Sequence, residues 1–197
     1  MVRILIHTLG LGLAALATVS SAAMNDDPRE SPDGPEAVRV YFTADQALAR
    51  IFDHADAVEE SDWIPTDRQR TEIQRRLGFL VSEAAFPVWR ATRGDRDLGW
   101  AVILEEKGRF KPITCMIHVK PDRTVGQVLV MVYRESRGDG VKRQRFLKQF
   151  RSKDLDDSLR LNRDIIGLTG ATLSSRAVTF AVRKALLIVD VREKGGQ

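Results

Sequence analysis

The sequence is poor in the residues that build disulfides and metal sites. Its 197 residues include one cysteine, Cys115, and three widely separated histidines, namely His7, His54 and His118. A single cysteine excludes an intramolecular disulfide and a site made of several thiolates. The histidines lack the spacing of zinc or haem ligands, so no metal ligand is predicted. Cys115 lies in an alternating apolar run, 113–119, which predicts a small side chain on the buried face of a strand.

The chain also lacks a strong excess of one charge. There are 31 Lys and Arg against 27 Asp and Glu, which gives a formal net charge of +4, and both signs are mixed along most of the chain. A nucleic-acid binder usually concentrates basic residues on one element with aromatic residues between them. No nucleic-acid partner is therefore predicted. We also find no Ser-His-Asp set, no paired carboxylates with an acid–base role and no Walker sequence, so no active site for a substrate of the protein's own is predicted.

The first residues are typical of an export signal. Arg3 precedes a largely apolar stretch over residues 4–19, and small residues follow up to Ala23. This pattern predicts a signal peptide over residues 1–23, with an uncleaved anchor as the alternative. Residues 24–37 are rich in Asp, Glu, Pro and Gly, which predicts a flexible linker, and residues 38–197 are expected to form a single domain. The folded part should lie in the periplasm or at the outer face of the cytoplasmic membrane.

Apolar periodicity predicts helices at both ends of a run of strands. Helical spacing covers 44–59 and 66–80, where Thr66 and Gln69 form a capping-box pattern and Ile73, Leu77 and Leu80 are expected on the inner face. The predicted strands are 86–92, 98–106, 111–119 and 124–134. A helical segment, 141–151, and a helix from about Ser174 to Val191 follow. The fold class is therefore α+β, with an antiparallel sheet flanked by N-terminal helices and a C-terminal helix.

The segment Leu168-Thr169-Gly170-Ala171-Thr172-Leu173-Ser174-Ser175 carries the main functional signal. It is a loop that enters a helix N-terminus, where free N–H groups and the helix dipole favour a phosphate. Gly170 allows a close backbone approach, and Arg176 adds a charged donor. The alternative is that these hydroxylated residues only cap the helix, which is the commonest role of Ser and Thr there.

The same stretch resembles the flavinylation motif Asp-x-x-(Ser/Thr)-Gly-Ala-Thr-x-(Ser/Thr) of the FMN-binding domain family, which occurs in the Rnf and Nqr respiratory complexes and in related periplasmic flavoproteins. Thr169, Gly170, Ala171, Leu173 and Ser174 match the positions around Thr172. The resemblance implies that FMN is joined to Thr172 by a phosphoester bond, which a flavin transferase of the ApbE type would make.

A second motif lies upstream of the first. Glu135-Ser136-Arg137-Gly138-Asp139-Gly140 resembles the family's Glu-Thr-Pro-Gly-x-Gly loop, and Gly138 and Gly140 fit a loop that folds tightly against the flavin ring or its ribityl chain. The alternative is an ordinary glycine-containing turn after a strand. Weaker matches are Gly99-Trp100-Ala101 and Lys111-Pro112-Ile113. The resemblance extends from about Phe86 to Val189.

One position departs from the family motif. Ile166 stands where the motif has Asp, and Asp164 lies two residues earlier. Modification could therefore be slow or absent, leaving FMN bound non-covalently or no FMN, unless the loop lets Asp164 act instead. Other candidates are weaker: the tryptophans, Trp63, Trp89 and Trp100, are expected in the core rather than against a flavin. Lys142, Arg143 and Arg145 suit either a phosphate, an acidic partner or a solvated helix face.

The resemblance implies an exported electron-transfer protein that carries FMN and exchanges electrons with a membrane redox complex or with other electron-transfer proteins. There are two alternatives. One is a flavin-dependent reductase. The other is a non-catalytic exported subunit that has lost flavinylation, and Ile166 in place of the motif Asp favours it.

Overall fold

The computed structural model describes residues 38–195, and these form six strands and four α-helices. The strands are β1 (Arg39–Val40), β2 (Ala57–Trp63), β3 (Phe86–Arg93), β4 (Arg96–Lys107), β5 (Pro112–Val119) and β6 (Val125–Tyr133). The helices are α1 (Ala44–Ile51), α2 (Asp67–Leu77), α3 (Gln144–Leu147) and α4 (Thr172–Lys194), and two 3₁₀ helices, Asp139–Lys142 and Lys148–Phe150, flank α3. The predicted signal peptide and the predicted linker lie outside the described residues.

The strands form one antiparallel sheet in the order β1-β6-β5-β4-β3-β2. From β2 to β6 each strand pairs with the next along the chain, and the short β1 pairs with β6 at the far edge. The four predicted strands correspond to β3 through β6. The meander therefore follows from the alternating apolar pattern and the turn residues between the strands.

Both faces of the sheet are covered, because successive side chains along a strand point to opposite faces. The larger core lies on the side of α2 and α4, and its buried members include Ile73, Val102, Cys115, Ile117, Val182 and Ile188. The smaller core includes α1 on the other side, with Ala47, Phe52, Ala101, Met116 and Leu129. This arrangement confirms the predicted α+β class and the predicted burial of Cys115, whose pKa is raised to about 12 by that burial.

The prediction of one helix over 44–59 is wrong beyond Ile51. Phe52 leaves the helical conformation, with φ −115° and ψ 46°. The chain then forms β2, which pairs with β3 from Ala57 opposite Thr92 to Trp63 opposite Phe86. The unpaired edge of β3 supplies backbone partners that local periodicity does not reveal. Exposed acidic residues on β2 suit a strand at the edge of a sheet, since charge discourages pairing with another chain.

Helix α2 begins as the sequence predicts and ends earlier. Thr66 and Gln69 form the capping box, with the Thr66 side chain accepting a hydrogen bond from the Gln69 backbone N–H. The helix stops at Leu77 because Gly78 adopts a left-handed conformation at φ 80°. Ile73 and Leu77 are buried as predicted, whereas Leu80 lies beyond the helix and is 87% exposed, so its inward placement was wrong.

The C-terminal third places α4 against the sheet. The predicted helical segment 141–151 consists of α3 and its two 3₁₀ neighbours, with Phe146, Leu147 and Phe150 buried as expected. Helix α4 extends the predicted helix at both ends, and most of its residues are buried. Its Lys184 forms ion pairs with Glu106 of β4 and with Glu83, which ties the helix to the sheet and to the loop before β3. Across residues 38–195, no helix has the length and apolar character needed to cross a membrane.

Candidate functional site

Helix α4 begins in a tight turn built from the Gly-Ala-Thr motif. The Ala171 N–H donates to the Leu168 carbonyl at 2.9 Å, and Gly170 between them has φ +76°, a conformation that favours glycine. The Leu168 N–H donates to Ser175 Oγ at 3.2 Å, so the first helical turn also holds the start of the loop. A side chain added at Gly170 would meet no atom within 4 Å, which shows that the outer side of this turn is open.

Thr172 is the first residue of α4 rather than its cap. The N-cap is Ala171, with φ −132° and no side-chain hydrogen bond to the helix. Thr172 is exposed, and its hydroxyl makes no hydrogen bond to any residue in 38–195. The capping alternative is therefore wrong for Thr172. The first N–H groups of a helix have no acceptor within it, so this uncapped end retains its affinity for an anion.

The motif residues divide between the outside and the inside of the turn. Thr169, Gly170, Thr172 and Leu173 are exposed, and Leu173 retains 42% of its accessible surface. The remaining two motif residues, Ala171 and Ser174, are buried. The hydroxyl of Thr172 and the open space at Gly170 thus lie on the accessible side, while the inward residues attach the turn to the domain.

The second motif packs directly on the first. Gly138 has φ +91°, and a Cβ there would lie 2.8 Å from Tyr133 Oη, 3.0 Å from Ser174 Oγ and 3.3 Å from Ala171 Cβ. Only glycine fits this contact. The tight loop predicted around Gly138 therefore presses against the helix start itself, and protein atoms fill the space between them. A bound flavin would have to lie outward of this contact.

Tyr133 joins the two motifs and was missed by the sequence analysis. It is fully buried at the end of β6, its Oη donates to the Arg137 carbonyl, and Ser174 Oγ lies 2.9 Å from the same Oη. Burial raises the pKa of this phenol. The available signal was a tyrosine at an inward strand position just before the loop, because a buried tyrosine hydroxyl needs a partner.

The remaining residues of the upstream motif have different environments. Glu135 is buried and its Oε1 accepts from the backbone N–H groups of Phe110 at 2.7 Å and Lys111 at 3.2 Å. Its carboxylate therefore supports the β4–β5 turn. Ser136 is exposed, and Gly140 lies beside Leu168, whose Cδ1 would be 3.4 Å from an added Cβ. Gly138 and Gly140 are thus brought to the α4 loop, whereas the Glu135 carboxylate is engaged elsewhere.

Asp164 does not replace the acidic residue absent at position 166. Its carboxylate accepts from Ser158 Oγ at 2.6 Å and from the N–H groups of Leu159 and Arg160, each at 2.9 Å. Burial opposes ionisation, yet these hydrogen bonds and Lys153 hold its pKa at about 2. The Asp164 carboxylate is therefore held by hydrogen bonds within the loop that precedes α4.

Ile166 projects from the surface, with 76% of its accessible area exposed. Its backbone is held by Gln149 at two points: the Ile166 N–H donates to Gln149 Oε1 at 2.8 Å, and Gln149 Nε2 donates to the Ile166 carbonyl at 3.1 Å. The side-chain amide of Gln149 thus positions the loop before α4, whereas the side chain of Ile166 offers no oxygen ligand.

Basic side chains near this end differ in their partners. Arg176 is exposed, one helical turn beyond Thr172, and makes no hydrogen bond or ion pair within the described chain. Lys142 is engaged: its Nζ lies 3.0 Å from Tyr41 Oη and 3.1 Å from Asp139 Oδ2, and those hydrogen bonds raise its pKa. Arg143 and Arg145 are exposed. Arg176 is therefore a guanidinium that is free to meet an anion at the start of α4.

The weaker sequence matches serve the sheet. A Cβ at Gly99, where φ is +97°, would lie 2.2 Å from the Val119 carbonyl oxygen. Trp89 and Trp100 are buried as predicted. The guanidinium carbon of Arg192 lies 4.0 Å from the centroid of the Trp100 ring, and that of Arg90 lies 5.2 Å from it. The half-buried Trp63 packs against Phe86 in the core. Pro112 and Ile113 begin β5.

A shallow depression of about 440 Å³ on α2, lined by Asp67, Arg68, Thr71 and Glu72, contains none of the motif residues.

Known proteins similar to this chain indicate its family. The FMN-binding domain family matches residues 108–187, which include both motifs. A component of the proton-translocating ferredoxin:NAD(+) oxidoreductase complex of Clostridium ljungdahlii is 30% identical over 138 residues, covering 66% of this chain and 74% of the relative. The chain belongs to the FMN-binding domain family. The resemblance inferred from the sequence is confirmed, and so is FMN as the cofactor.

The start of α4 in this FMN-binding domain fits the phosphate end of the cofactor. Three features converge there: an uncapped helix N-terminus, an open backbone approach at Gly170, and the unpaired guanidinium of Arg176. A phosphate is an anion that needs N–H donors and positive charge, and the turn supplies both. The side chains on the accessible rim, Thr169 and Thr172, add hydroxyl groups.

Proposed function

We propose that this FMN-binding domain is an exported electron-transfer protein that carries FMN through a phosphoester bond to Thr172. The observation that carries the attachment site is the hydroxyl of Thr172, which is exposed at the first position of α4 and free of hydrogen bonds within residues 38–195. A hydroxyl that capped the helix would have to break that bond before it could react. Here the acceptor oxygen is available without local unfolding.

The bond would be made by a flavin transferase of the ApbE type. The Thr172 oxygen would form a new P–O bond to the flavin-side phosphorus of a flavin dinucleotide. The phosphoanhydride bond would break, the adenine mononucleotide half would leave, and the hydroxyl proton would pass to a base of the transferase. Arg176 and the N–H groups of the first turn would then hold the phosphodiester oxygens, which carry negative charge in both redox states of the flavin.

Bound FMN supplies reversible uptake of electrons, and the protein fixes its position. The described site offers no acid–base pair beside Thr172: Asp164 and Glu135 are committed to backbone N–H groups, and Lys142 is paired with Asp139. This favours a carrier over a reductase that protonates a small substrate. Since the similar clostridial protein belongs to a ferredoxin:NAD(+) oxidoreductase complex, the partners would be components of a membrane redox complex.

The signal-peptide pattern of residues 1–23 supports export, which would put the proposed carrier at the outer face of the cytoplasmic membrane or in the periplasm. A covalent link is advantageous there because lost FMN cannot be replaced readily outside the cell. Fractionation of cells that produce the full chain tests this step. Recovery of the protein in the cytoplasm would contradict it.

Intact-mass spectrometry tests the attachment. The protein is produced with an exported flavin transferase, beside Thr172→Val and the matched control Thr169→Val, which removes the other exposed hydroxyl of the same turn. We expect wild type and Thr169→Val to gain the mass of FMN minus one water, and Thr172→Val to gain nothing. The opposite result for the two variants would contradict Thr172 as the acceptor.

The same preparations distinguish the other functions. Yellow colour that is released on denaturation would mean non-covalent FMN. Absence of both colour and added mass would favour a non-catalytic subunit, as the exposed Ile166 in place of a carboxylate suggests. Multiple-turnover reduction of a soluble acceptor would favour a reductase.

A further inference from the structure

Charge is distributed unevenly across the sheet. Residues 137–176 carry ten basic and five acidic residues, whereas residues 51–66 carry five acidic residues and no Lys or Arg. The acidic stretch contains the edge strand β2, and the basic stretch packs against β6 near the opposite edge. Strands β2 and β6 are four inter-strand spacings apart, or about 19 Å. The stretch that leads to Thr172 therefore carries more basic than acidic residues.

The basic stretch is continuous with the start of α4. Gly138 touches Ser174, Gly140 lies against Leu168, and Gln149 holds the backbone of Ile166. These contacts place the loop after β6, the α3 segment and the loop before α4 side by side. Their charged side chains therefore belong to segments that pack beside the Leu168–Ser175 turn.

Exposed cations of this region lack partners of their own. Among those that make no hydrogen bond or ion pair through their side chains within residues 38–195 are Arg137, Arg143, Arg145, Lys148, Arg163 and Arg176. We call these six the basic surface. Of the nearby acidic residues, Asp139 pairs with Lys142 and Asp157 with Lys153. The Asp156 carboxylate is exposed and unpaired within residues 38–195, but basic residues still outnumber acidic ones ten to five over residues 137–176.

We propose that the basic surface docks an acidic protein, the electron-transfer partner of the flavin. This deepens the function proposed above and rests on it for the partner's redox role. Five of the six cations are arginines, which bind carboxylates in a bidentate manner and are enriched in protein interfaces, where lysine is depleted. Exposed Ile166 and Leu173, which lie in the loop before α4 and in its first turn, provide apolar contact area. Protein interfaces usually combine apolar contact area with polar and charged residues.

A protein partner suits this surface better than a membrane. A membrane lying flat on the basic surface would cover Thr172 and its flavin, whereas a protein can bring its own redox centre to that point. Attraction between the cations of the basic surface and an acidic partner would steer the two molecules as they approach. Such steering typically raises association rates by about ten- to a thousandfold at low ionic strength.

The test measures binding of the full chain to an immobilised, oxidised, acidic plant-type ferredoxin by surface plasmon resonance. The variant is Arg143→Glu/Arg145→Glu. The matched control is Arg68→Glu/Arg96→Glu, which makes the same charge change at exposed arginines of α2 and β4 that are likewise without ion pairs in the described chain. Both variants leave Thr172 and the two motifs intact.

We expect the basic-surface variant to raise the dissociation constant at low salt by about tenfold or more, and the control to change it by less than about twofold. High salt should weaken wild-type binding strongly and variant binding little. Equal effects of the two variants, or no ferredoxin binding by wild type at low salt, would overturn the proposal. So would variant-sensitive binding to phosphatidylglycerol vesicles without ferredoxin binding, which would indicate a membrane surface.

Because this binding does not depend on the flavin, its failure is distinguishable from failure of the proposed function. Intact mass reports FMN attachment independently in the same samples. If the protein carries FMN but its binding to ferredoxin is unchanged by the charge reversal, the proposed function is supported and the docking surface is contradicted. A protein without flavin that still binds ferredoxin through these arginines would support the surface and contradict the carrier.

Discussion

Tyr133 Oη and Ser174 Oγ lie 2.9 Å apart in the core, and this hydrogen bond joins the end of β6 to the first turn of α4. Since the phenol hydrogen is donated to the Arg137 carbonyl, the Ser174 hydroxyl donates to the phenol oxygen. One buried group thus connects the strand, the Glu135–Gly140 loop and the Leu168–Ser175 turn. The spatial relation between the two motifs is built on this connection.

Replacing Tyr133 by Phe should therefore destabilise the domain. The change leaves the Arg137 carbonyl and the Ser174 hydroxyl without their partner, at a cost of about 1–3 kcal/mol for an unsatisfied buried group. Urea unfolding followed by circular dichroism measures the change in the free energy of unfolding. The control is Tyr41→Phe, which removes a half-buried hydroxyl bonded to Lys142 and should cost less. Equal losses in the two variants would contradict the central role of Tyr133.

Gly138 and Gly170 should respond differently to alanine. Both have positive φ, so each variant carries backbone strain of about 1–2 kcal/mol. Gly138→Ala adds a Cβ at 2.8 Å from Tyr133 Oη, whereas Gly170→Ala meets nothing within 4 Å. We expect Gly138→Ala to lose clearly more stability in urea unfolding, by about 1–3 kcal/mol of added overpacking. A greater loss in Gly170→Ala would show that the motifs are not packed in this way.

Lys184 should be important for stability because it faces two carboxylates from inside the core. Its side chain is 5% exposed and lies 2.9 Å from Glu106 Oε1. Lys184→Met removes one partner of a buried pair and should cost about 3–5 kcal/mol near neutral pH. The control is Lys107→Met, at an exposed lysine that makes no ion pair within the described residues.

The loss in Lys184→Met should depend on pH in a defined direction. Burial already raises the pKa of Glu106 above its ordinary value of 4.5. A carboxyl group whose pKa is higher in the folded state than in the unfolded state stabilises the fold at pH values below its unfolded-state pKa. That stabilisation is lost as the pH rises through the folded-state pKa. Without Lys184 that pKa should rise further, so the deficit relative to wild type should be smaller at about pH 5 than at about pH 8. A deficit independent of pH would contradict this.

The sequence predicted the elements whose side-chain pattern is local. The capping box at Thr66 and the four central strands follow from neighbouring residues. So does the placement of one motif after the end of β6 and of the other at the start of α4. Strand β2 was not predicted because its pairing partner, β3, lies more than twenty residues further along. The helical prediction for that stretch used the only periodicity visible in one sequence.

The candidate site was predicted in part for the same reason. The motif residues themselves are contiguous, so the sequence indicated them together. The contacts of Tyr133 with Ser174 and of Gln149 with Ile166 join positions that are distant along the chain. The commitment of Glu135 to the β4–β5 turn also depends on packing, and its carboxylate binds backbone groups that carry no sequence signature. Long-range contacts of this kind appear only once the sheet is formed.

Asp164 should give the loop before α4 an acid-sensitive stability. Its pKa is held at about 2 by Ser158, by the N–H groups of Leu159 and Arg160, and by Lys153. An acid with a depressed folded pKa contributes stability that is present above its unfolded pKa, about 3.9, and is lost as pH falls toward the folded value. Asp164→Asn removes the charge and should cost about 1–3 kcal/mol at neutral pH, since hydrogen bonds to charged groups are the stronger ones.

The measurement is urea unfolding between about pH 2 and pH 7, with Asp156→Asn as the control, because Asp156 is exposed and its carboxylate makes no hydrogen bond or ion pair within residues 38–195. The stability gap between wild type and Asp164→Asn should narrow as the pH falls below about 4. Amide hydrogen exchange should show faster opening at residues 158–165 in Asp164→Asn, with the core strands less affected. A gap that stays constant across this pH range would mean that the charge of Asp164 does not hold the loop.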